Sequence, residues 1–164
     1  MKKTLIFLST LFLWAASSAQ LKTTDQCPVI KIDILEGKVN GTIIPASTVG
    51  QIKVLLPCFS GIEEEGTAAK CGAGVFYKDK DLYFFTTRDY IEIGPAFKGL
   101  LSIPLLGAQR QGLFKLLGAP QIKDLSWDAF KTAYGVLILY FDKASRVNKI
   151  QFSSKAANAI ELCE

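Results

Sequence analysis

One short segment of this chain occurs twice in closely similar form. Residues 50–57 read GQIKVLLP and residues 112–120 read GLFKLLGAP, which places the second copy 61 to 62 positions after the first. Further residues match at a spacing of 63: Gly72 with Gly135, Asp79 with Asp142, and Lys80 with Lys143. Differences of one or two residues between such spacings are normal where loops connect similar units. The chain is therefore predicted to contain two tandem units with the same order of elements.

Each unit is predicted to begin with a short helix. Ser47 or Thr48 can cap the first helix, which Pro57 ends, and Gly118 and Pro120 stop the second. The apolar side chains at helical spacing are Val49, Ile52, Leu55 and Leu56 in the first copy, and Leu113, Leu116 and Leu117 in the second. We expect these leucines, isoleucine and valine to face the core.

Strand patterns follow each helix. Residues 74–78 and 82–87 flank the turn DKD, and Tyr90–Ile93 is a third short strand. Residues 136–141 and 147–152 flank the turn DKASR in the second half. The preceding segment WDAFKTAY is interpreted as a strand, with a short helix capped by Ser126 as the alternative.

The order of elements predicts the fold class. An early strand is expected where Ile30, Ile32 and Ile34 alternate with polar residues, and the segment GPAFKG (94–99) is interpreted as a linker. Helices followed by runs of strands are typical of an α+β fold, here two tandem helix–loop–β-meander repeats with the helices packed on one face of an antiparallel sheet. The predicted divisions are 1–19 for a signal peptide, 20–96 for the N-terminal repeat and 97–164 for the C-terminal repeat, the two forming one compact unit.

The second half carries a motif that resembles a known family. The motif comprises Leu117-Gly118-Ala119-Pro120, Tyr134-Gly135, Phe141-Asp142, Val147 and Ile150, and the first half keeps it loosely as Leu55-Leu56-Pro57, Gly74 and Asp79. It looks like the repeat of the small outer-membrane assembly lipoproteins of the BamE/SmpA type and of the β-lactamase inhibitor proteins, the latter having the unit in tandem. The resemblance implies a protein-binding role, although this chain has neither a lipid-anchor cysteine nor an identifiable inhibitory loop.

The N-terminus predicts export. Two lysines, an apolar run over residues 5–16 and the small residues Ser17-Ser18-Ala19 form a bacterial-type signal peptide, with cleavage after Ala19. Removing residues 1–19 leaves 145 residues with a net charge of +2, because Lys2 and Lys3 are lost from a total of +4. Such a balanced chain suits neither nucleic acid nor an anionic membrane as a partner. We expect a periplasmic or secreted protein without stable membrane insertion.

The composition argues against catalysis. The chain contains no histidine, which removes the commonest general base and most zinc sites. The remaining enzymatic alternative is carboxylate chemistry by residues such as Asp128 and Asp142. Glu63-Glu64-Glu65 is interpreted as a solvated loop tip, with metal binding as the alternative. We expect a non-enzymatic protein with no cofactor and no metal.

The four cysteines are predicted to form two disulfides. An even number of cysteines in an exported chain is typical of disulfide bonding. Four cysteines allow three pairings, and we favour Cys58–Cys71, which flank a turn-rich segment, with Cys27–Cys163 tying the ends together. A zinc site or a redox pair is the alternative. Both would be expected to have a close Cys-x-x-Cys spacing, which this chain lacks.

Strand alternation predicts an outward aromatic surface. Leu137, Leu139 and Phe141 are expected to face the core with Ile150 and Phe152, and Phe76 with Phe84. The side chains predicted to face outward and bind a partner are Tyr77, Tyr83, Phe85, Tyr140, Lys149 and Gln151. Trp127 is interpreted as core packing, and the charges at Arg88-Asp89 and 78–81 as solvated turns. The alternative is that the two halves, or a dimer, cover this surface.

Two functional hypotheses follow from these observations. The first is a protein-binding module of the inhibitor, immunity or envelope-assembly adaptor type that uses the outward sheet face to bind another protein of the cell envelope or exterior. The second is a carrier that holds a small molecule or lipid between the sheet and its cover.

Overall fold

β-Strands make up most of the architecture in the computed structural model, which describes residues 27–64 and 70–163. The predicted signal peptide and its cleavage site lie outside these residues. The strands are β1 (Lys31–Asp33), β2 (Lys38–Val39), β3 (Gly61–Glu63), β4 (Gly74–Tyr77), β5 (Leu82–Phe85), β6 (Tyr90–Ile93), β7 (Leu100–Leu101), β8 (Ile122–Lys123), β9 (Trp127–Lys131), β10 (Val136–Phe141) and β11 (Val147–Ser153). The α-helices are α1 (Val49–Leu55) and α2 (Arg110–Leu117), and Lys78–Lys80 form a 3-10 turn.

Eight of these strands form one antiparallel sheet. Their order is β3-β4-β5-β6-β11-β10-β9-β8, so that two four-stranded meanders meet where β6 pairs with β11. The remaining three strands form a small sheet in the order β2-β1-β7, in which β1 and β7 run parallel. The predicted strands over residues 90–93, 136–141 and 147–152 are confirmed, and WDAFK is a strand rather than a helix.

The main core lies between one face of the large sheet and a layer formed by the small sheet, the helices and their connecting loops. Because side chains alternate along a strand, Leu137 and Leu139 of β10 face this core together with Ile150 and Phe152 of β11, as predicted. The covering layer contributes the alternating isoleucines around β1: Ile30, Ile32 and Ile34.

The prediction of an α+β fold with helices covering the sheet in two repeats is wrong. Helix α1 has only 7 residues and α2 only 8, and each buries a single side chain of its own, Ile52 and Leu113 respectively. Leu55 and Leu116, which we expected to face the core, are 47% and 51% exposed. Strands and loops therefore supply most of the cover that we expected from helices.

The signals that start and stop the helices are nevertheless confirmed. Thr48 caps α1 in a capping box. Its hydroxyl accepts a hydrogen bond from the backbone N–H of Gln51, and the side-chain oxygen of Gln51 accepts one from the backbone N–H of Thr48. Gly118 ends α2 with a φ of 77°. The sequence therefore located the helices correctly, although it overestimated their share of the core.

All four cysteines are disulfide-bonded, but the predicted pairing is wrong. The bonds join Cys27 to Cys58 and Cys71 to Cys163, with Cα–Cα distances of 5.7 and 5.4 Å. Strand β3 lies within the segment that we interpreted as a loop, and it pairs with β4. Cys58 therefore lies near the open end of this hairpin and Cys71 near its closed end. The two cysteines that we expected to pair are at opposite ends of the hairpin.

Two observations bear on the compartment. The disulfides fit an extracellular or periplasmic protein, because cytosolic thiols are usually kept reduced. Among residues 27–64 and 70–163, no helix has the length and apolar character needed to cross a membrane.

Candidate functional site

The side of the large sheet that faces away from the main core, which we call the outer face, carries most of the predicted binding residues. Cross-strand pairing places Phe76 beside Tyr83, Tyr83 beside Glu92, and Glu92 beside Gln151. The next row of side chains on this face runs from Lys149 through Tyr140 to Trp127. Strands β4, β5, β6, β11, β10 and β9 thus bring together residues that are up to 75 positions apart in the sequence.

Five of the six predicted binding residues lie on the outer face: Tyr83, Phe85, Tyr140, Lys149 and Gln151. The exception is Tyr77, which is 2% exposed and packs in the main core, where its hydroxyl donates to the carbonyl of Leu56. Burial raises the pKa of this phenol above its usual value. Phe76, which we expected to face the core, lies on the outer face instead.

An aromatic cluster occupies the outer face of the first meander. The ring of Phe76 lies 6.2 Å from that of Tyr83 and 5.6 Å from that of Phe85, and Phe85 stacks on Tyr90 at 4.6 Å. Phe76 is only 8% exposed and Tyr90 is fully buried, whereas Tyr83 and Phe85 are half-buried. The accessible aromatic surface of this half therefore belongs to Tyr83 and Phe85.

Glu92 organises the centre of the outer face. Its Oε2 atom accepts a 2.6 Å hydrogen bond from Nε2 of Gln151 and lies 3.7 Å from Nζ of Lys149. The same ammonium lies 4.1 Å from the centre of the Tyr140 ring, a cation–π distance. Gln151 is 1% exposed, and its Oε1 atom has no hydrogen-bond partner among the described residues.

The C-terminal residues 154–163, which we call the tail, cover the outer face of the second meander. Ala157, Ile160 and Leu162 pack against a small separate cluster of three buried side chains, Ala129, Val136 and Ile138. The predicted outward surface is thus covered in part by the chain itself, which is one of the alternatives that the sequence left open. We did not predict this packing, although the apolar residues Ile160 and Leu162 next to Cys163 were a signal for it.

Three contacts fasten the end of the tail. Besides the bond between Cys163 and Cys71, the Cys163 amide donates to the Tyr90 hydroxyl at 3.1 Å, and Arg88 donates from Nη1 to the carbonyl of Leu162 at 3.1 Å. Arg88 also donates from Nε to the carbonyl of Cys71 at 3.3 Å. We interpreted Arg88 as a solvated turn charge, but the structure shows it holding both sides of this disulfide.

A groove of about 440 Å³ remains between the tail and the outer face of β9 and β10. Its lining residues are Ser126, Trp127, Ala129, Ile138, Tyr140, Ala157, Ile160 and Leu162. Trp127 is half-buried in this groove and does not pack in the main core.

The carboxylates considered for catalysis have structural partners. Asp128 is bound by Arg110, whereas Oδ1 of Asp142 accepts from the amides of Ala144 and Arg146 at 2.8 and 2.9 Å and so shapes the β10–β11 turn. Glu64 lies 4.0 Å from Lys53, and Glu65 is outside the described residues. Over residues 27–64 and 70–163, no three His, Cys, Asp or Glu residues are grouped so that they could hold a metal ion.

Comparison of the chain with protein-family models, with curated proteins and with solved structures found no match. The case for a function therefore rests on the residues of the outer face and their contacts.

Proposed function

We propose that this chain is a secreted or periplasmic protein-binding module without enzymatic activity, of the inhibitor, immunity or envelope-assembly adaptor type. It binds its partner through the part of the outer face that the tail leaves uncovered, which we call the open strip and define as Tyr83, Phe85, Glu92, Lys149 and Tyr140. The observation that carries the proposal is this combination of half-exposed aromatic rings with a charged pair between them on one rigid sheet.

The residue types of the open strip favour protein recognition. Aromatic side chains, and tyrosine in particular, are enriched at the centres of protein interfaces, because they bury a large area and still offer a polar group. Tyr83 and Tyr140 lie on strands separated by three strand spacings of about 4.8 Å and are offset by two residues along the strands, so their backbones are roughly 16 Å apart. This span suits a compact interface rather than a single-residue contact.

The scaffold of the open strip lowers the cost of binding. Each of its residues belongs to a paired strand, and the Glu92–Gln151 hydrogen bond fixes the centre. A surface that is already ordered loses little conformational entropy when it binds. The resemblance of the second-half motif to the BamE/SmpA and β-lactamase inhibitor repeats also supports a binding role.

The proposal is tested by replacing Tyr83→Ala together with Tyr140→Ala and using the chain as bait in an envelope extract of the source organism. We expect the double variant to keep its thermal unfolding transition but to lose the partner that the unaltered chain captures. The matched control is Phe114→Ala with Leu125→Ala, which removes two exposed apolar side chains outside the outer face. Equal capture by the tyrosine variant would contradict the proposal.

The location is part of the same proposal. Export with cleavage after Ala19 would leave Gln20 as the first residue of the mature chain. The intact mass of protein purified from the periplasm or culture medium tests this directly, and a mass that retains residues 1–19 would contradict it.

A further inference from the structure

We propose that the groove beneath the tail is a binding site for a small, neutral molecule that contains a flat aromatic ring. Its volume of about 440 Å³ falls within the range of roughly 300–1,000 Å³ that is typical of small-molecule sites. The groove is separate from the open strip except for Tyr140, so this inference goes beyond the proposed protein binding and does not depend on it.

The lining of the groove selects for a neutral ligand. None of its eight residues is a lysine, arginine, aspartate or glutamate. The ammonium of Lys149 lies 4.1 Å from the centre of the Tyr140 ring, but it is paired with Glu92 at 3.7 Å. An ion in the groove would therefore lose hydration without gaining an unpaired counter-charge, which costs more than burying a neutral group. This lining contrasts with that of the open strip, where Glu92 and Lys149 offer both signs of charge.

The shape of the walls favours an aromatic ring. Trp127 and Tyr140 are direct cross-strand neighbours, and both line the groove. Ile138 contributes to the sheet side of the groove, and Ile160 and Leu162 line it from the tail. Aromatic rings gain from offset or edge contacts with other rings in addition to the area that they bury.

The space is built into the fold. Ala129 and Ala157 are small residues on opposite sides of the groove, and the tail crosses the sheet as an irregular chain that does not pair as a strand. The disulfide between Cys71 and Cys163 and the hydrogen bond from Arg88 to Leu162 hold the tail in this position. The groove is therefore present before a ligand arrives, which reduces the ordering cost of binding.

The test uses the disulfide-bonded chain without its signal peptide. Naphthalene-2-methanol is titrated into this protein. Isothermal titration calorimetry measures the binding, because the naphthalene ring absorbs and emits light in the same range as Trp127. We expect saturable one-to-one binding with a dissociation constant below about 1 mM. Naphthalene-2-carboxylate, which has the same ring but is an anion at pH 7, should bind at least about tenfold more weakly. Decanol, a neutral chain without a ring, should also bind more weakly.

Two tail variants locate the site. Ala157→Phe fills the groove and should abolish binding, whereas Ala159→Phe adds the same side chain at an exposed position that does not line the groove and should leave binding unchanged. Methyl NMR is a measurement that needs no variant. The signals of Ile138, Ile160 and Leu162 should shift as naphthalene-2-methanol is added. The absence of saturable binding, equal binding of the carboxylate, tighter binding of decanol, or methyl shifts confined to other residues would each overturn the inference.

Discussion

The ring of Tyr134 packs directly on Gly37, with no room for a side chain between them. A Cβ atom added at Gly37 would lie 2.6 Å from Cγ of Tyr134, and the Tyr134 hydroxyl donates to the carbonyl of Ile34 at 3.0 Å. Gly37 follows β1, and Tyr134 lies in the connection between β9 and β10. This contact therefore joins the covering layer to the large sheet.

Replacing Gly37→Ala should destabilise the chain more than replacing Gly41→Ala. Both glycines have positive φ values, 64° and 77°, so alanine at either position costs roughly 1–2 kcal/mol in backbone strain. Only Gly37 has a neighbour within reach of the new methyl group, and displacing Tyr134 should cost about 1–3 kcal/mol more. Urea unfolding of the two variants measures the difference, and equal losses would contradict the Tyr134 contact.

Replacing Arg110→Ala should lower the free energy of unfolding by roughly 3–5 kcal/mol, because it leaves the buried Asp128 carboxylate without its partner. Arg110 binds both carboxylate oxygens, at 3.0 and 2.5 Å, and also donates to the carbonyls of Asp124 and Leu125. The control is Arg110→Met with Asp128→Leu, which removes both charges and should cost less than the single replacement. A double variant that is less stable than Arg110→Ala would show that the charge of Asp128 is not the cause.

Non-reducing peptide mapping should recover Cys27 linked to Cys58 and Cys71 linked to Cys163. The second bond closes a segment of 92 residues and the first a segment of 31, so the chain-entropy model assigns them roughly 4.6 and 3.7 kcal/mol respectively. Cys71→Ser with Cys163→Ser should therefore destabilise the chain more than Cys27→Ser with Cys58→Ser. Only the former pair should also increase proteolysis within residues 154–163. Recovery of Cys58 linked to Cys71 would refute the pairing.

The stability of the chain should fall as the pH rises through the range of about 10 to about 12. Burial raises the pKa of the Tyr90 phenol to about 12, whereas a tyrosine in an unfolded chain titrates near 10. Between these values the unfolded state has released a proton that the folded state still holds, so deprotonation favours unfolding. Urea unfolding at pH 9, 10 and 11 should show this loss, and Tyr90→Phe should make it shallower. An unchanged slope in that variant would contradict the assignment.

The outer face shows what strand alternation can and cannot predict. In β10 and β11 the alternation is unambiguous, since Lys149 and Gln151 mark one side, and their faces are predicted correctly. In β4, Val75, Phe76 and Tyr77 are all aliphatic or aromatic, so the pattern does not show which side faces the core. The 3-10 turn over residues 78–80, with Asp81 in the left-handed region, sets a register that pairs Tyr77 with Leu82 and directs both inward. That turn geometry is not evident from the letters DKD.

The tail was unpredictable for a different reason. Its position depends on which cysteine Cys163 joins, and four cysteines allow three pairings that composition alone cannot distinguish. The tail is not paired as a strand, so it lacks the period-two pattern that identified β10 and β11. The edge strands β3 and β8 were missed because they have only 3 and 2 residues. Whether residues 20–96 and 97–164 are separate repeats stays a prediction, as does the resemblance to the BamE/SmpA type.

The pairing of β6 with β11 has a consequence for biosynthesis. Strand β6 ends at Ile93, but the strand that completes its pairing begins only at Val147. During synthesis or export from the N-terminus, the edge of the first meander therefore stays unpaired until residues 147–153 have emerged. Such edges recruit other chains, and sheets that depend on distant partners form slowly. A chaperone that shields strand edges before this pairing forms would therefore raise the yield of folded protein.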